Sequence, residues 1–203
     1  MSSIAALQSG TGELRVKTLR GLLDEVCQAR AELLSPWLHE KHLSLLYAQA
    51  GAGKTFMSLS IALAVAAGGN LFGWKAEKPR KVLFVDGEMD VEDLKERCGI
   101  LLKSIGGDPE EAKNNLVFLA QQAQGAKTTF PDLAKADGQN RLNEVIDKQR
   151  PALIILDNFS TLCDVEDEND ASSFNPVINM LRELKLRRIA TILVHHSRKD
   201  GGS

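Results

Sequence analysis

Leu45-Leu46-Tyr47-Ala48-Gln49-Ala50-Gly51-Ala52-Gly53-Lys54-Thr55 is the stretch on which the reading of this chain turns. An apolar run leads into a Gly/Ala-rich turn, and Lys54-Thr55 opens a segment with helical texture. This is the strand–GxxxxGK(S/T)–helix pattern, with Ala48 standing where the first glycine is expected. Small residues let the backbone curl so that successive N–H groups point at phosphate oxygens. The helix that follows adds its partial positive charge at the same place. Lys54 is expected to reach the β- and γ-phosphates, and the Thr55 hydroxyl to ligate Mg²⁺. A methyl group at Ala48 is tolerable wherever φ stays negative.

Outward from that loop, short apolar runs alternate with amphipathic stretches. Strands are predicted over Leu43–Ala48, Lys81–Asp86, Leu116–Ala120, Ala152–Asp157 and Ile189–His195. Helices are predicted over Lys54–Ala67, closed by Gly68-Gly69, and near Val91–Ser104, ending at Gly106-Gly107. Two more are expected over Arg141–Gln149 and Asn175–Leu186, and Gly125–Gln139 reads as a long polar loop carrying Pro131. Near-continuous apolar strands alternating with helices imply a parallel α/β sheet buried on both faces. The active site should then sit at the carboxyl ends of its strands. Residues 1–38 read as a helical appendage, from the spacing of Leu19, Leu22, Leu23 and Val26, with a boundary at Ser35-Pro36. Residues 39–203 form the expected core.

Composition narrows the field. Of 203 residues, 43% are hydrophobic and 26% charged, which suits one globular α/β domain. A formal net charge of −2 argues against a broad basic surface, although a local basic groove stays compatible with it. Cys27, Cys98 and Cys163 are widely separated and have no metal-type spacing, as in a reduced, cytoplasmic protein. Glu13, Arg15, Lys17 and Arg20 interrupt any signal-like apolar run, and the stretch around Ile61–Ala67 is too short to span a bilayer. No membrane association is expected.

Beyond phosphate binding, hydrolysis needs carboxylates. Asp157 closes the ALIILD strand, where a Walker-B carboxylate holds Mg²⁺ through water. Glu88 follows KVLFVD in Asp86-Gly87-Glu88-Met89 and could polarise an attacking water, or simply favour a helix start; Asp86 competes for the catalytic role. His195 and His196 end the fifth strand on opposite faces, so one of them can view the nucleotide. The acidic run Asp164–Asp170 lacks EF-hand spacing and reads as a solvated loop. Trp37 and Trp74 read as packing residues, since the aromatics are too sparse for base-stacking platforms.

Four segments in order, Ala48-Gln49-Ala50-Gly51-Ala52-Gly53-Lys54-Thr55, Val85-Asp86-Gly87-Glu88-Met89, Leu156-Asp157-Asn158-Phe159-Ser160-Thr161-Leu162 and His195-His196-Ser197-Arg198-Lys199-Asp200-Gly201, resemble the RecA-like AAA_25 ATPases. These include plasmid RepA-type replicative helicases and are relatives of the DnaB and RadA ATPases. The resemblance spans roughly Pro36 to Gly201 and implies a RecA-like P-loop fold that binds ATP with Mg²⁺. It assigns Ala50, Gly51, Ala52, Gly53, Lys54, Thr55 and Phe56 to the nucleotide, Thr55 and Asp157 to the metal, and Lys54 also to catalysis. It selects Glu88 as the catalytic glutamate and His196 as the polar sensor three residues before Lys199, with His195 as the fallback. Asp167-Glu168-Asn169 also resembles a family element.

The same resemblance implies a homo-oligomeric, hexameric ring and single-stranded DNA as a partner. In such ATPases the strands beyond this point carry DNA-binding loops and an arginine finger, and this sequence stops at Gly201-Gly202-Ser203, just after a strand. The reading is therefore of a core truncated at its C-terminal end, either cut from a longer protein or shortened. Arg187, Arg188 and Arg198 are the possible finger substitutes. A helicase motor leads, a regulatory nucleotide switch is the alternative, and a small-molecule kinase fits less well because no Arg-rich lid is visible.

Overall fold

The computed structural model describes residues 14–164 and 174–196. In chain order its elements are α1 (Leu19–Leu23), β1 (Glu32–Leu34), β2 (Leu38–His39), β3 (Leu43–Ala48), α2 (Lys54–Ala67), β4 (Asn70–Leu71) and β5 (Trp74–Lys75). Then follow β6 (Val82–Asp86), α3 (Val91–Leu101), α4 (Pro109–Asn115), β7 (Leu116–Ala120), α5 (Ala136–Gln149), β8 (Leu153–Asp157), α6 (Phe159–Leu162), α7 (Asn175–Leu186) and β9 (Ala190–His196).

Five strands form one parallel sheet in the order β3-β9-β8-β6-β7. Its register aligns the polar strand ends: Ala48 lies opposite His196, and Asp86 opposite Asp157. Because every strand runs the same way, these residues gather at one rim of the sheet.

Alternation along the strands feeds two cores. Val82, Phe84, Leu153, Ile155, Ile192 and Val194 pack with α2, α3 and α4 on one face. Leu83, Val85, Ile154 and Leu156 pack with α5, α6 and α7 on the other. Burial on both faces explains why β6 and β8 read as unbroken apolar runs. Helix α2 is buried over most of its length, and its Ala and Ser residues let it lie close to the sheet. Fixed beneath the phosphate loop, it gives Lys54 and Thr55 a rigid base.

Several elements differ from the sequence reading. Among its described residues, the N-terminal segment is helical only over α1, whose residues are all exposed. Glu32–Leu34 is instead a strand, and Leu33, Leu34 and Leu38 lie in the main core. Ser35-Pro36, read as a boundary, sits in the β1–β2 hairpin, where Ser35 exchanges backbone bonds of 2.8 and 3.2 Å with Lys75. Trp37 and Trp74 meet edge-to-face there at 5.3 Å, half-buried against the core. Helix α5 starts at Ala136 rather than Arg141, so the loop after Gly125 is shorter than expected. Gly138, within the stretch expected to be a loop, is inside that helix because its missing side chain admits the Asp132 backbone; a Cβ would come within 2.0 Å of Asp132 O. Helix α4, absent from the sequence expectation, carries an Asp108 cap, Pro109 and two first-turn acids, a helix-start signal. Helix α3 ends at Leu101, and the fifth strand runs from Ala190 to His196. Val165–Asp170, with Asp167, Glu168 and Asn169, and Arg198 and Lys199 lie outside the described residues.

Candidate active site

The loop after β3 turns through Gly51 and Gly53, at φ +79° and +82°, a region that favours glycine over residues with a Cβ. Ala48 is not among the positive-φ residues, so its methyl is accommodated as the sequence suggested. Lys54 is 5% exposed, and its ammonium donates to Ala48 O at 2.9 Å and Gln49 O at 2.8 Å. The loop thus closes around its own lysine. A cationic group so held, with backbone carbonyls as its partners here, can exchange those bonds for stronger ones to phosphate oxygens.

Ser58 donates to the Asp157 carboxylate at 3.1 Å, and the Thr55 hydroxyl lies near enough to that carboxylate to lower its pKa. Asp157 is buried at 4% exposure, which pushes its pKa up; the Thr55 and Ser58 hydroxyls oppose that shift. A carboxylate raised by burial and set beside a threonine hydroxyl is a donor set that a divalent cation would favour, because the cation stabilises the charge that burial disfavours. Thr55 and Asp157 are therefore side by side and suited to Mg²⁺.

Asp86, a competitor of Glu88 for the catalytic role, is separated from it by geometry. Asp86 is 1% exposed and accepts the Met89 N–H at 2.9 Å. Burial, with Asp157 and Glu88 nearby, pushes its pKa up to about 6 against the backbone bonds that lower it. Asp86 shapes the turn that presents Glu88 to the rim. Gly87 in that turn lies so close to α6 that a Cβ would stand 2.4 Å from Thr161 Oγ1.

Glu88 Oε2 accepts from Asn158 Nδ2 at 2.5 Å, and the same amide nitrogen lies 3.0 Å from His196 Nε2. Glu88 and His196 approach within 3.9 Å. The two histidines diverge as adjacent strand residues must: His196 faces this cluster, while His195 stacks near Tyr47 and meets Phe159 edge-on.

A pocket of about 360 Å³ joins Gly51, Gly53, Lys54, Thr55 and Phe56 to His196 and Arg97. Ala50 and Ala52 belong to the same loop, between and beside the two glycines. Arg97 and Asn158 escaped the sequence reading. Arg97 is on α3, its guanidinium 5.7 Å over the Phe56 ring and 3.5 Å from Met89 Sδ. It is two turns beyond Glu88's end of the helix, a position with no motif to mark it. Asn158 stands inside the quoted LDNFSTL segment, directly after Asp157, and its place at a strand's carboxyl end was the available signal.

Arg187 and Arg188, possible finger substitutes by sequence, are engaged elsewhere. Arg187 pairs with Asp147 at 2.5 Å, and Arg188 with Glu40 at 2.6 Å. Both precede β9, at the end of the sheet away from the phosphate loop, and seven strand residues separate them from the rim, roughly 20 Å. They cannot serve their own chain's site.

Residues 12–202 match the AAA_25 family, described as an AAA domain. The chain belongs to the AAA_25 family. It is a RecA-like P-loop ATPase domain, and the order of its sheet and the loop–helix arrangement agree with that. Among solved structures, a KaiC-like protein from the hyperthermophilic archaeon Pyrococcus horikoshii OT3 aligns with TM-score 0.55 and 14% identity, covering 83% of this chain and 71% of that one. In all, 417 chains of solved structures match, so the fold of this AAA_25 domain is widely shared and does not select a biological role. No curated protein matches it in sequence. Among the described residues, no helix is long and apolar enough to cross a membrane.

Proposed function

We propose that this AAA_25 domain hydrolyses Mg-ATP as the motor core of a RepA-type DNA helicase or a related replication protein, working in the cytoplasm as a ring of like subunits on single-stranded DNA. The observation that carries the hydrolytic part is the convergence at one rim of Lys54, Thr55 with Asp157, and Glu88 with His196. Ala50–Phe56 would wrap the phosphates, with Lys54 releasing the Ala48 and Gln49 carbonyls to take up phosphate oxygens. Thr55 and Asp157 would hold Mg²⁺, which when bound screens the charge of the phosphates. Glu88 would orient and deprotonate the attacking water, and His196 would sense the γ-phosphate. Arg97 would lay its planar cation against the nucleotide at the pocket mouth.

A regulatory switch, in which ATP controls assembly without unwinding, is the second reading. The net charge of −2 favours it, because a motor that tracks nucleic acid gains from a basic surface. Phosphate release measured with and without single-stranded DNA separates the two. Strong stimulation is expected of the motor, and DNA-independent turnover would favour the switch. Glu88→Gln should keep Mg-ATP binding and lose roughly 10²–10⁴-fold in turnover. Should Asp86→Asn show that phenotype while Glu88→Gln does not, the carboxylate has been misassigned.

A further inference from the structure

Glu88 is exposed, and its partner Asn158 is buried. The Glu88 side chain is 61% exposed, whereas Asn158, whose amide holds Glu88 Oε2, is only 2% exposed. Every polar atom of the Asn158 side chain is engaged. Oδ1 accepts the Thr161 N–H at 3.1 Å, capping α6, and the Asn158 carbonyl takes the Thr161 hydroxyl at 3.0 Å. Because Oδ1 is committed to a backbone N–H, the amide nitrogen must face the rim. It donates to Glu88 Oε2 at 2.5 Å and reaches His196 Nε2 at 3.0 Å. The amide carries two N–H groups, so one nitrogen can serve both Glu88 and His196.

We propose that Asn158 is the positioning residue of this site: its buried amide fixes one carboxylate oxygen of Glu88, leaves the other for the attacking water, and ties Glu88 to His196 through one nitrogen. The proposal rests on Glu88 as the base. An exposed glutamate samples many rotamers, and immobilising one of its oxygens removes most of them before the nucleotide arrives. The bond is charge-assisted and has a rigid donor, so it holds position better than a pair of flexible side chains would. Since His196 ends β9 and shares that nitrogen, a shift of the strand end is passed to Glu88 through a single group.

Asn158→Ser tests the idea, because a serine can still accept the Thr161 N–H as a cap while the amide donor is lost. Steady-state ATP hydrolysis by the 203-residue chain should show kcat falling roughly 10–100-fold, the scale of a small misplacement, with KM for ATP nearly unchanged. In a Glu88→Gln background the same substitution should cause no further fall, because the oxygen it positions no longer acts as a base. Asn158→Asp, which keeps the capping oxygen and loses the donor, takes the place of the serine variant if that one fails to fold. Retained or raised kcat, or an equal proportional fall in both backgrounds, would overturn the proposal. A Glu88→Gln enzyme of undiminished turnover would instead sink the base assignment, and this proposal with it.

Discussion

Individual residues were legible where chemistry is written locally. Ala48–Thr55 announces a phosphate loop because its backbone conformation needs small residues at set spacings, and Gly51 and Gly53 do take positive φ. The choice between Asp86 and Glu88 was not legible in the residues themselves. Asp86 ends the apolar strand and Glu88 lies two residues beyond it, and only the fold shows Asp86 turned inward, where it accepts the Met89 N–H. Arg97 was invisible for a related reason: one charged residue on an amphipathic helix looks like any other until Phe56 is placed beneath it. An Arg over an aromatic ring is worth about 0.5–2 kcal/mol, and a stacked nucleotide should gain a similar amount. Arg97→Ala should therefore weaken ATP binding by a few-fold to about thirtyfold while sparing kcat. Fluorescent-nucleotide titration checks it, and unaltered affinity would remove Arg97 from the site.

At the scale of elements, long periodic segments were legible and short ones were not. Helices α2 and α7 begin and end where their patterns do. The two-residue strands β2, β4 and β5 are too brief to carry a period, and their pairing depends on Trp37, Trp74 and the Ser35–Lys75 bridge. Strand register also sets an electrostatic cost, since β6 and β8 bring Asp86 and Asp157 side by side in a buried rim. Both carboxyls have raised pKa values in the fold, mainly through burial, with Asp86 at about 6. Through Asp86 alone, the folded state, which holds its proton longer than the unfolded chain, loses stability as pH rises from the ordinary Asp value of 3.8 to about 6. Asp86→Asn removes its share of that loss. Its melting temperature relative to the parent should therefore improve by a few degrees between pH 4.5 and 7.5, on the order expected for about 1 kcal/mol. Paired thermal melts at the two pH values decide it, and a pH-independent difference would contradict the account of Asp86.

For the whole molecule, the parallel sheet and the placement of the site at its carboxyl rim followed from alternating apolar strands and helices. The N-terminal segment did not follow, because Leu33 and Leu34 are buried by a hairpin whose contacts are distant in sequence. Of the arginines considered for transition-state stabilisation, Arg187 and Arg188 are ion-paired at the far end of the sheet. A finger supplied by a neighbouring subunit is worth about 10³–10⁵ in rate in other phosphoryl-transfer systems. Turnover per chain should consequently be slow when the protein is dilute and rise with concentration as subunits associate. Sedimentation and ATPase assays over the same concentration range test this. A rate per chain that stays constant while the protein assembles would show that each site is complete by itself.

The central claim is that Lys54, held by the Ala48 and Gln49 carbonyls, belongs to a loop built to bind and cleave ATP. The most direct test is phosphate release from Mg-ATP by the parent chain and by Lys54→Ala, each with nucleotide affinity measured alongside. The account predicts measurable hydrolysis by the parent, with weakened binding and no turnover in the variant, because the charge that meets the β- and γ-phosphates is gone. Hydrolysis in Lys54→Ala equal to that of the parent would contradict it.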